Sequence, residues 1–341
     1  MIEVIAPGLF TIIQDAGRHG YGHLGVPAAG AADLFNMRIA NRLVGNPDGN
    51  ATLEMTGAGA TLRFDADAHI ALTGGVLEAQ LDDQPVAMYQ TLTARAGMVL
   101  SCGRVISGLR SYLGVAGGIS VPEVLGSRST DTLSGLGPEI VTAGARLPVG
   151  ISAVTDSGAY LRSPPLYGTS VRLRILAAPH QDWFASTALL ALRDSTFSVS
   201  PQSDRTGVRL EGATLERIRA GELPSMGMTT GAIQVPSSGQ PIVLLGNHGT
   251  TGGYPVIANV VGADLHLLAQ LAPGAQVRFV DVSPTEALEA LAQQEGRLQH
   301  DMVTADASLL AARRLMILAA NHTSLRQAAV TEGKRRIRIR K

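Results

Sequence analysis

The stretch Val171-Arg172-Leu173-Arg174-Ile175 alternates apolar and polar side chains, which is the pattern of a β-strand with one buried face. The same period of two recurs in Gln276-Val277-Arg278-Phe279 and in Ala60-Thr61-Leu62-Arg63-Phe64, each bounded by Gly, Pro or Asp. The 39 glycines among 341 residues favour tight turns between such short strands. We therefore expect a mainly β fold with a few helices.

Helical periodicity is confined to a few segments. One amphipathic helix is predicted over residues 31–44, where apolar residues recur every four positions. A second is predicted from Ser283 to about residue 294, because Ser283 and Glu286 form a capping box and Gly296 can end the helix. A third is expected over residues 182–192.

Paired prolines interrupt the strand pattern near the midpoint, in Arg162-Ser163-Pro164-Pro165. Proline cannot donate to a β-ladder, so we place a domain boundary there. The prediction is a first unit at 1–165, a second at 166–297 and a C-terminal extension with a basic tail at 298–341. A weak similarity between the two halves leaves both duplication and coincidence open.

Charge and residue usage exclude several classes of protein. The segment 333–341 holds six of the 28 basic residues and no acid, so residues 1–332 are net negative and give no reason to bind nucleic acid. Lysine occurs only at Lys334 and Lys341, which removes Schiff-base chemistry and a P-loop lysine. Cys102 is the single cysteine and lies in an apolar stretch, so we expect an inert thiol. The sequence shows neither a signal peptide nor a membrane span, so we expect a cytoplasmic protein.

The first candidate site loop is residues 14–23, which holds Asp15, Arg18, His19 and His23 among three glycines. Glycine lets the backbone approach a ligand closely. The intervening glycines break the helix that would align the two histidines on a metal, so no metal site is predicted. The alternative is a plain turn in which Asp15 accepts backbone amides and Arg18 pairs with a surface acid.

Polar side chains also cluster in a second loop, residues 126–132. The guanidinium of Arg128 matches a carboxylate, and Ser129 and Asp131 stand beside it. A capped helix start or a surface pair between Arg128 and Asp131 is the alternative.

The third and fourth loops carry the remaining candidates. Residues 200–207 place Asp204 and Arg205 before a glycine, so that one of the two can line a cleft while the other holds the loop. Residues 246–255 follow the apolar run 241–245, and His248 is the best general acid or base of the chain. The fourth loop also supplies Asn247, Thr250, Thr251 and Tyr254. Walker A, CxxC, HExxH and GxSxG motifs are absent from the sequence, so an ATP site would be unconventional or in a partner.

These loops coincide with six ordered blocks that resemble the family of the 5-oxoprolinase C subunit, allophanate hydrolase subunit 2 and the Kip antagonist. The blocks are residues 13–21 (IQDAGRHGY), 26–27 with 30–33 (VP and GAAD), 112–119 (YLGVAGGI), 125–131 (LGSRSTD), 202–207 (QSDRTG) and 250–255 (TTGGYP). The chain departs from the family at Asn247 and Gly249, where the family usually carries Asp and Gln.

The resemblance implies two tandem cyclophilin-like β-barrel units and an active cleft shared with a smaller B-like subunit. It implies an enzyme subunit that, together with the B-like subunit and an A-like lactam-utilisation subunit, opens 5-oxoproline to glutamate using ATP. A first alternative is a carboxyltransferase-like component acting on urea or allophanate-type amides, with biotin delivered by another protein. A second is a non-catalytic regulatory partner of a B-like subunit.

If this interpretation holds, the candidate residues divide into catalytic residues and substrate-binding residues. We expect His248, Asp131 and Asp204 to be catalytic. The small-molecule substrate is expected to contact a second set: Arg18, His19, Arg128, Ser129, Arg205, Asn247, Thr250, Thr251 and Tyr254. Neither a metal within this chain nor a nucleic-acid or membrane partner is predicted.

Overall fold

The computed structural model describes residues 1–152, 158–221, 223–305 and 309. Among these, the strands are β1 (Ile2–Ala6), β2 (Phe10–Gln14), β3 (Thr52–Thr56), β4 (Thr61–Phe64), β5 (Ala68–Leu81), β6 (Gln84–Pro85), β7 (Leu92–Ala94), β8 (Val99–Val115), β9 (Arg146–Leu147), β10 (Gly158–Leu161), β11 (Ser170–Ala177), β12 (Phe197–Val199), β13 (Gly207–Glu211), β14 (Met226–Gly227), β15 (Ala232–Gln234), β16 (Ile242–Leu244), β17 (Thr251–Gly252), β18 (Val256–Val260), β19 (Gln276–Asp281) and β20 (Met302–Ala305). The α-helices are α1 (Leu34–Leu43), α2 (Ser186–Asp194), α3 (Leu265–Ala269) and α4 (Pro284–His300). The predicted mainly β fold with a few helices is confirmed.

The first nine strands form one curled, half-barrel sheet. Its main order is β2-β3-β8-β4-β1-β9, and the long strand β5 pairs with β6, β7 and β8. Apolar side chains from the inner face build its core, for example Leu53, Leu72 and Leu113, none of which is exposed to solvent. Burial of this face is the main stabilisation of the unit.

Seven further strands of the described chain close into a barrel in the order β11-β18-β15-β16-β13-β12-β19. The two segments with the clearest sequence alternation meet here, because β11 pairs with β19 in parallel and Leu173 lies opposite Phe279. Both side chains are buried in the barrel core. The half-buried strands predicted from the period of two are therefore confirmed.

The helices lie where the sequence predicts them, but some begin or end at other residues than predicted. The capping box of Ser283 and Glu286 is present at the start of α4. The predicted end at Gly296 is wrong, since the helix continues to His300. Leu298, in the added turn, packs in a cluster with Ile39 of α1, and this burial outweighs the roughly 1 kcal/mol cost of a helical glycine.

The first and third predicted helices are also shorter or divided. Helix α1 begins at Leu34 rather than three residues earlier, because the Asp33 side chain caps it by accepting from the Asn36 N–H. The third predicted helix is divided into a 3₁₀ turn (Gln181–Trp183) and α2. Phe184 between them is extended and buried.

The chain returns to the first unit after the barrel. Strand β20 pairs with β10, and Arg42 of α1 donates to the Leu298 carbonyl oxygen at 2.9 Å. The boundary near residue 165 lies between β10 and β11 and stays a prediction. None of the described helices combines the length and apolar character that a membrane-spanning helix needs.

Candidate active site

The first and second predicted loops are joined at the carboxylate of Asp15, which is 7% exposed. It accepts hydrogen bonds from the N–H groups of Gly17 at 2.8 Å and Arg128 at 2.5 Å. It also accepts from the hydroxyls of Ser127 at 2.7 Å and Ser129 at 2.5 Å. Four donors on one buried carboxylate fix the two loops against each other. The expectation that Asp15 accepts backbone amides is confirmed.

Arg18 lies beneath this junction and is 1% exposed. Its Nη2 donates to the Ser129 carbonyl oxygen at 2.6 Å and its Nε to the Val124 carbonyl oxygen at 3.4 Å. Nη1 has no partner among the described residues. The alternative of a surface ion pair is wrong, because this guanidinium is buried against carbonyl oxygens.

The second, third and fourth loops meet at Asn247, which is fully buried. Its Nδ2 donates to Asp131 Oδ1 at 3.1 Å, and its backbone N–H donates to the Arg205 carbonyl oxygen at 3.2 Å. An aspartate at this position would face the Asp131 carboxylate. The amide instead supplies a donor and avoids two adjacent negative charges.

A buried ion-pair cluster supports the third loop from below. The Arg205 guanidinium pairs with Glu54 and donates from Nη2 to the Gly30 carbonyl oxygen at 2.7 Å. A second guanidinium, of Arg110, lies 3.7 Å from Glu54. The side chains of Glu54, Arg110 and Arg205 are 0%, 5% and 7% exposed, so the cluster is shielded from water.

Burial by itself raises the pKa of the Glu54 carboxyl, but Arg205 and Arg110 oppose it. Hydrogen bonds from the Ala32 N–H and the Tyr112 hydroxyl act in the same direction as the two guanidiniums, and the pKa of Glu54 lies below its ordinary value. The carboxylate is therefore charged at neutral pH. Burial raises the pKa of Tyr112, which keeps its hydroxyl protonated as a donor.

Other predicted residues lie closer to solvent. His19 is exposed, with Nε2 3.0 Å from the Ala16 carbonyl oxygen. His248 is half-buried, with Nδ1 2.7 Å from the Gly249 carbonyl oxygen. A hydrogen bond there requires the proton on Nδ1 and leaves Nε2 able to accept another.

Arg128 has a side chain that is 35% exposed and is oriented by two contacts. Its Nη1 lies 2.7 Å from a Glu123 carboxylate oxygen, and its Nε donates to the Val121 carbonyl oxygen at 2.8 Å. The expected alternative pair with Asp131 is wrong. Asp131 instead accepts from the N–H groups of Leu133 and Ser134.

The remaining predicted residues lie away from this junction or shape only their own loop. Asp204 is exposed, and its carboxylate accepts from the Thr206 N–H at 2.7 Å. Thr251 lies in the short strand β17, paired with β14. Tyr254 lines a separate pocket of about 430 Å³ on the barrel, beside Ser200 and Gln202. The carbonyl oxygen of Thr250 accepts from the Met228 N–H at 2.9 Å.

A cleft of about 280 Å³ opens beside the converging loops. Its lining includes His19, the alanines of residues 28–32, Gly246, His266 and Gln294. The His266 ring packs on Phe35 with centroids 5.0 Å apart. Burial lowers the pKa of His266, and the charge of Asp33 opposes this without reversing it.

The sequence analysis assigned no role to the residues beneath the loops: Asp33, Glu54, Arg110, His266 and Gln270. Glu54 had a visible signal, because it is an acid inside the otherwise uncharged strand Thr52–Thr56. Gln270 was hidden because its partners are remote, with Nε2 donating to Asp33 at 2.7 Å and Oε1 accepting from the Arg110 N–H at 3.0 Å.

The buried guanidiniums beneath the loops and the N-terminus of α1 do not offer a free site for a nucleoside triphosphate. The buried guanidiniums of Arg18 and Arg205 already contact carbonyl oxygens, and the N-terminus of α1 beside the cleft is occupied by the Asp33 carboxylate. Within the described ranges no three His, Cys, Asp or Glu side chains are grouped to hold a metal ion.

The half-barrel sheet, the closed barrel and the loop junction between them define a carboxyltransferase-type domain. The chain belongs to the family described as carboxyltransferase domain, subdomain A and B, whose sequence model matches residues 24–281. Among individual proteins it is 42% identical over 298 residues to the 5-oxoprolinase C subunit of Escherichia coli strain K12, covering 86% of this chain and 96% of the relative.

Two further relatives extend the comparison. The chain is 32% identical to urea amidolyase of Saccharomyces cerevisiae over 305 residues, covering 83% of this chain and 17% of that protein. The crystal structure of Kluyveromyces lactis urea amidolyase superposes with a TM-score of 0.81 at 29% identity, covering 87% of this chain and 20% of that chain. These relatives are components or regions of enzymes, so an enzyme component is supported for this chain.

Proposed function

We propose that this chain is the C subunit of an ATP-dependent 5-oxoprolinase. The observation that carries the proposal is the 42% identity to a 5-oxoprolinase C subunit across 96% of that relative. The activity requires two further components, a B-like subunit at the loop junction and an A-like subunit. The ATP dependence belongs to the assembled enzyme, and the steps given below for this chain are the addition of water and the opening of the ring.

The geometry supports a division of roles among the predicted residues. Three of those that solvent reaches, Arg128, His19 and His248, contact the substrate. Arg128 is oriented by Glu123 and binds the substrate carboxylate. His248, with Nε2 able to accept, takes a proton from water as water adds to the lactam carbonyl carbon. The same imidazolium then protonates the ring nitrogen as the C–N bond breaks.

The buried residues hold these groups in place. Asp15 fixes the Arg128 loop through the Arg128 N–H, and Ser129 completes that contact. Asn247 fixes the segment that carries His248 and positions Asp131, which remains a predicted catalytic residue. The site therefore needs the first, second and fourth loops together, which agrees with their convergence.

The test is ATP-dependent release of glutamate from 5-oxoproline by the chain co-purified with A-like and B-like subunits. The wild-type complex should turn over, and Arg128→Ala should raise KM because a substrate contact is lost. Arg95→Ala is the matched control, since it removes an exposed ion pair with Asp67 on another surface. Equal kinetics for wild type and Arg128→Ala would refute the assignment of Arg128.

A second candidate is carboxyl transfer to urea or a related amide, with carboxybiotin delivered as a substrate by another protein. The TM-score of 0.81 to urea amidolyase and the family description favour it. Biotin-dependent carboxylation of urea, without glutamate release, would select this function. Complex formation with a B-like subunit but no turnover of either substrate would select the regulatory alternative, which stays a prediction, as does the cytoplasmic location.

A further inference from the structure

Glu54 is a buried carboxylate that contacts both β units at the loop junction. It lies in β3 of the half-barrel sheet, is fully buried, and pairs with Arg205 of the loop that leads into barrel strand β13. Its Oε2 accepts from the Ala32 N–H at 2.9 Å. One carboxylate thus reaches the loop of residues 28–33 and the third predicted loop.

Tyr112 extends this contact toward α1. Its hydroxyl donates to Glu54 Oε2 at 2.9 Å and accepts from the Asp33 N–H at 2.8 Å. Asp33 caps α1, whose first turn lines the cleft. The position of the cleft wall is therefore linked to Glu54 through two hydrogen bonds.

Arg205 carries the same link toward the predicted proton-transfer residues. Besides Glu54 it donates to the Gly30 carbonyl oxygen at 2.7 Å, and its carbonyl oxygen accepts from the Asn247 N–H. Asn247 in turn holds Asp131 and precedes His248. Loss of the Glu54 charge would leave two buried guanidiniums with one fewer counter-charge and free Arg205 to move.

We propose that Glu54 is a positioning residue of the active site, acting through Arg205 and the Ala32–Asp33 backbone to align the cleft wall with the Asn247–Asp131 contact. The proposal rests on the proposed function for its catalytic readout. Glu54 itself touches no substrate, because it is sealed beneath the loops. Because Glu54 aligns other groups and does not bind substrate, its replacement should change kcat more than KM.

The first test compares Glu54→Gln, which keeps shape and removes charge, with Val277→Ala in the barrel core. Val277 is fully buried in β19, so its truncation lowers stability without touching the loops. At matched loss of melting temperature, Glu54→Gln should lower kcat for glutamate release on the order of 10- to 100-fold, with a smaller change in KM. If Glu54→Gln and Val277→Ala lower kcat to the same extent, the role of Glu54 is purely structural and the proposal is overturned.

A double-mutant cycle tests the route through Arg205. The effect of Glu54→Gln on kcat should shrink severalfold in the Arg205→Lys background, because the residue through which it acts is already displaced. Additive effects would overturn that route. If Glu54→Gln fails to fold, Tyr112→Phe retains every charge and should still lower kcat severalfold; unchanged kinetics would count against the proposal.

Hydrogen–deuterium exchange supplies a readout that needs no turnover. In Glu54→Gln, exchange should accelerate in residues 28–33 and 204–207 and remain unchanged in Val277→Ala. Unchanged exchange in both loops overturns the positioning role even if the wild-type complex is inactive. If exchange in these loops accelerates in Glu54→Gln but the wild-type complex is inactive, only the proposed 5-oxoprolinase function is refuted.

Discussion

Replacing Asp15 with alanine should be among the most destabilising single substitutions at the site. The carboxylate accepts four hydrogen bonds, two from backbone N–H groups and two from hydroxyls, while only 7% exposed. Bonds to a charged group contribute about 1.5–3 kcal/mol each, which gives an upper bound of about 6–12 kcal/mol. Water can enter the space and the contributions are not additive, so we expect a loss of about 3–5 kcal/mol.

Asp204 provides the matched control for this substitution. Its carboxylate accepts from the Thr206 N–H and hydroxyl and from the Gly207 N–H, but the residue is exposed. Water can replace these bonds, so Asp204→Ala should cost about 1 kcal/mol or less. The assay is urea unfolding followed by circular dichroism. Equal losses for the two variants would refute the reasoning that the buried Asp15 carboxylate joins the two loops.

Three more predictions use local features. Gly137→Ala should lower the free energy of unfolding by about 1–3 kcal/mol more than Gly135→Ala in the same assay. Both glycines have positive φ, but only at Gly137 would a Cβ overlap a carbonyl oxygen. Equal losses for the two variants would contradict this overlap. Burial lowers the pKa of His266 from its ordinary 6.5, so the unfolded state binds this proton more readily and the free energy of unfolding falls as pH drops below 6.5. His266→Gln should therefore flatten the decline in melting temperature between about pH 7 and 5, and an unchanged decline in that variant would contradict the effect of its burial. Burial raises the pKa of Cys102 to about 12, so a thiol reagent should modify it only after unfolding, and rapid labelling of the folded chain would contradict its burial.

Local signals in the sequence were sufficient for the strands and the caps. The alternation at 171–175 and 276–279 predicted half-buried strands, and these are paired neighbours in the barrel. The capping box at Ser283 predicted the start of α4. The end of α4 could not be predicted locally, since it depends on packing of Leu298 against α1 rather than on Gly296.

The candidate loops were found from composition, but their convergence was not. Asp15 and Ser127 are separated by 112 residues and Arg205 and Glu54 by 151, so no local pattern pairs them. Strand periodicity also does not predict that Glu54 forms a buried ion pair, because a charged residue in a strand usually faces solvent. Its burial follows from the guanidiniums that other strands and loops bring to it.

Hydrogen–deuterium exchange of the assembled complex with and without 5-oxoproline tests most directly whether the converging loops bind the substrate. If the converging loops form the ligand site, exchange should slow in residues 14–20, 126–137 and 246–251 and remain unchanged in residues 84–95. Slowing confined to the barrel pocket beside Ser200, Gln202 and Tyr254 would contradict the account.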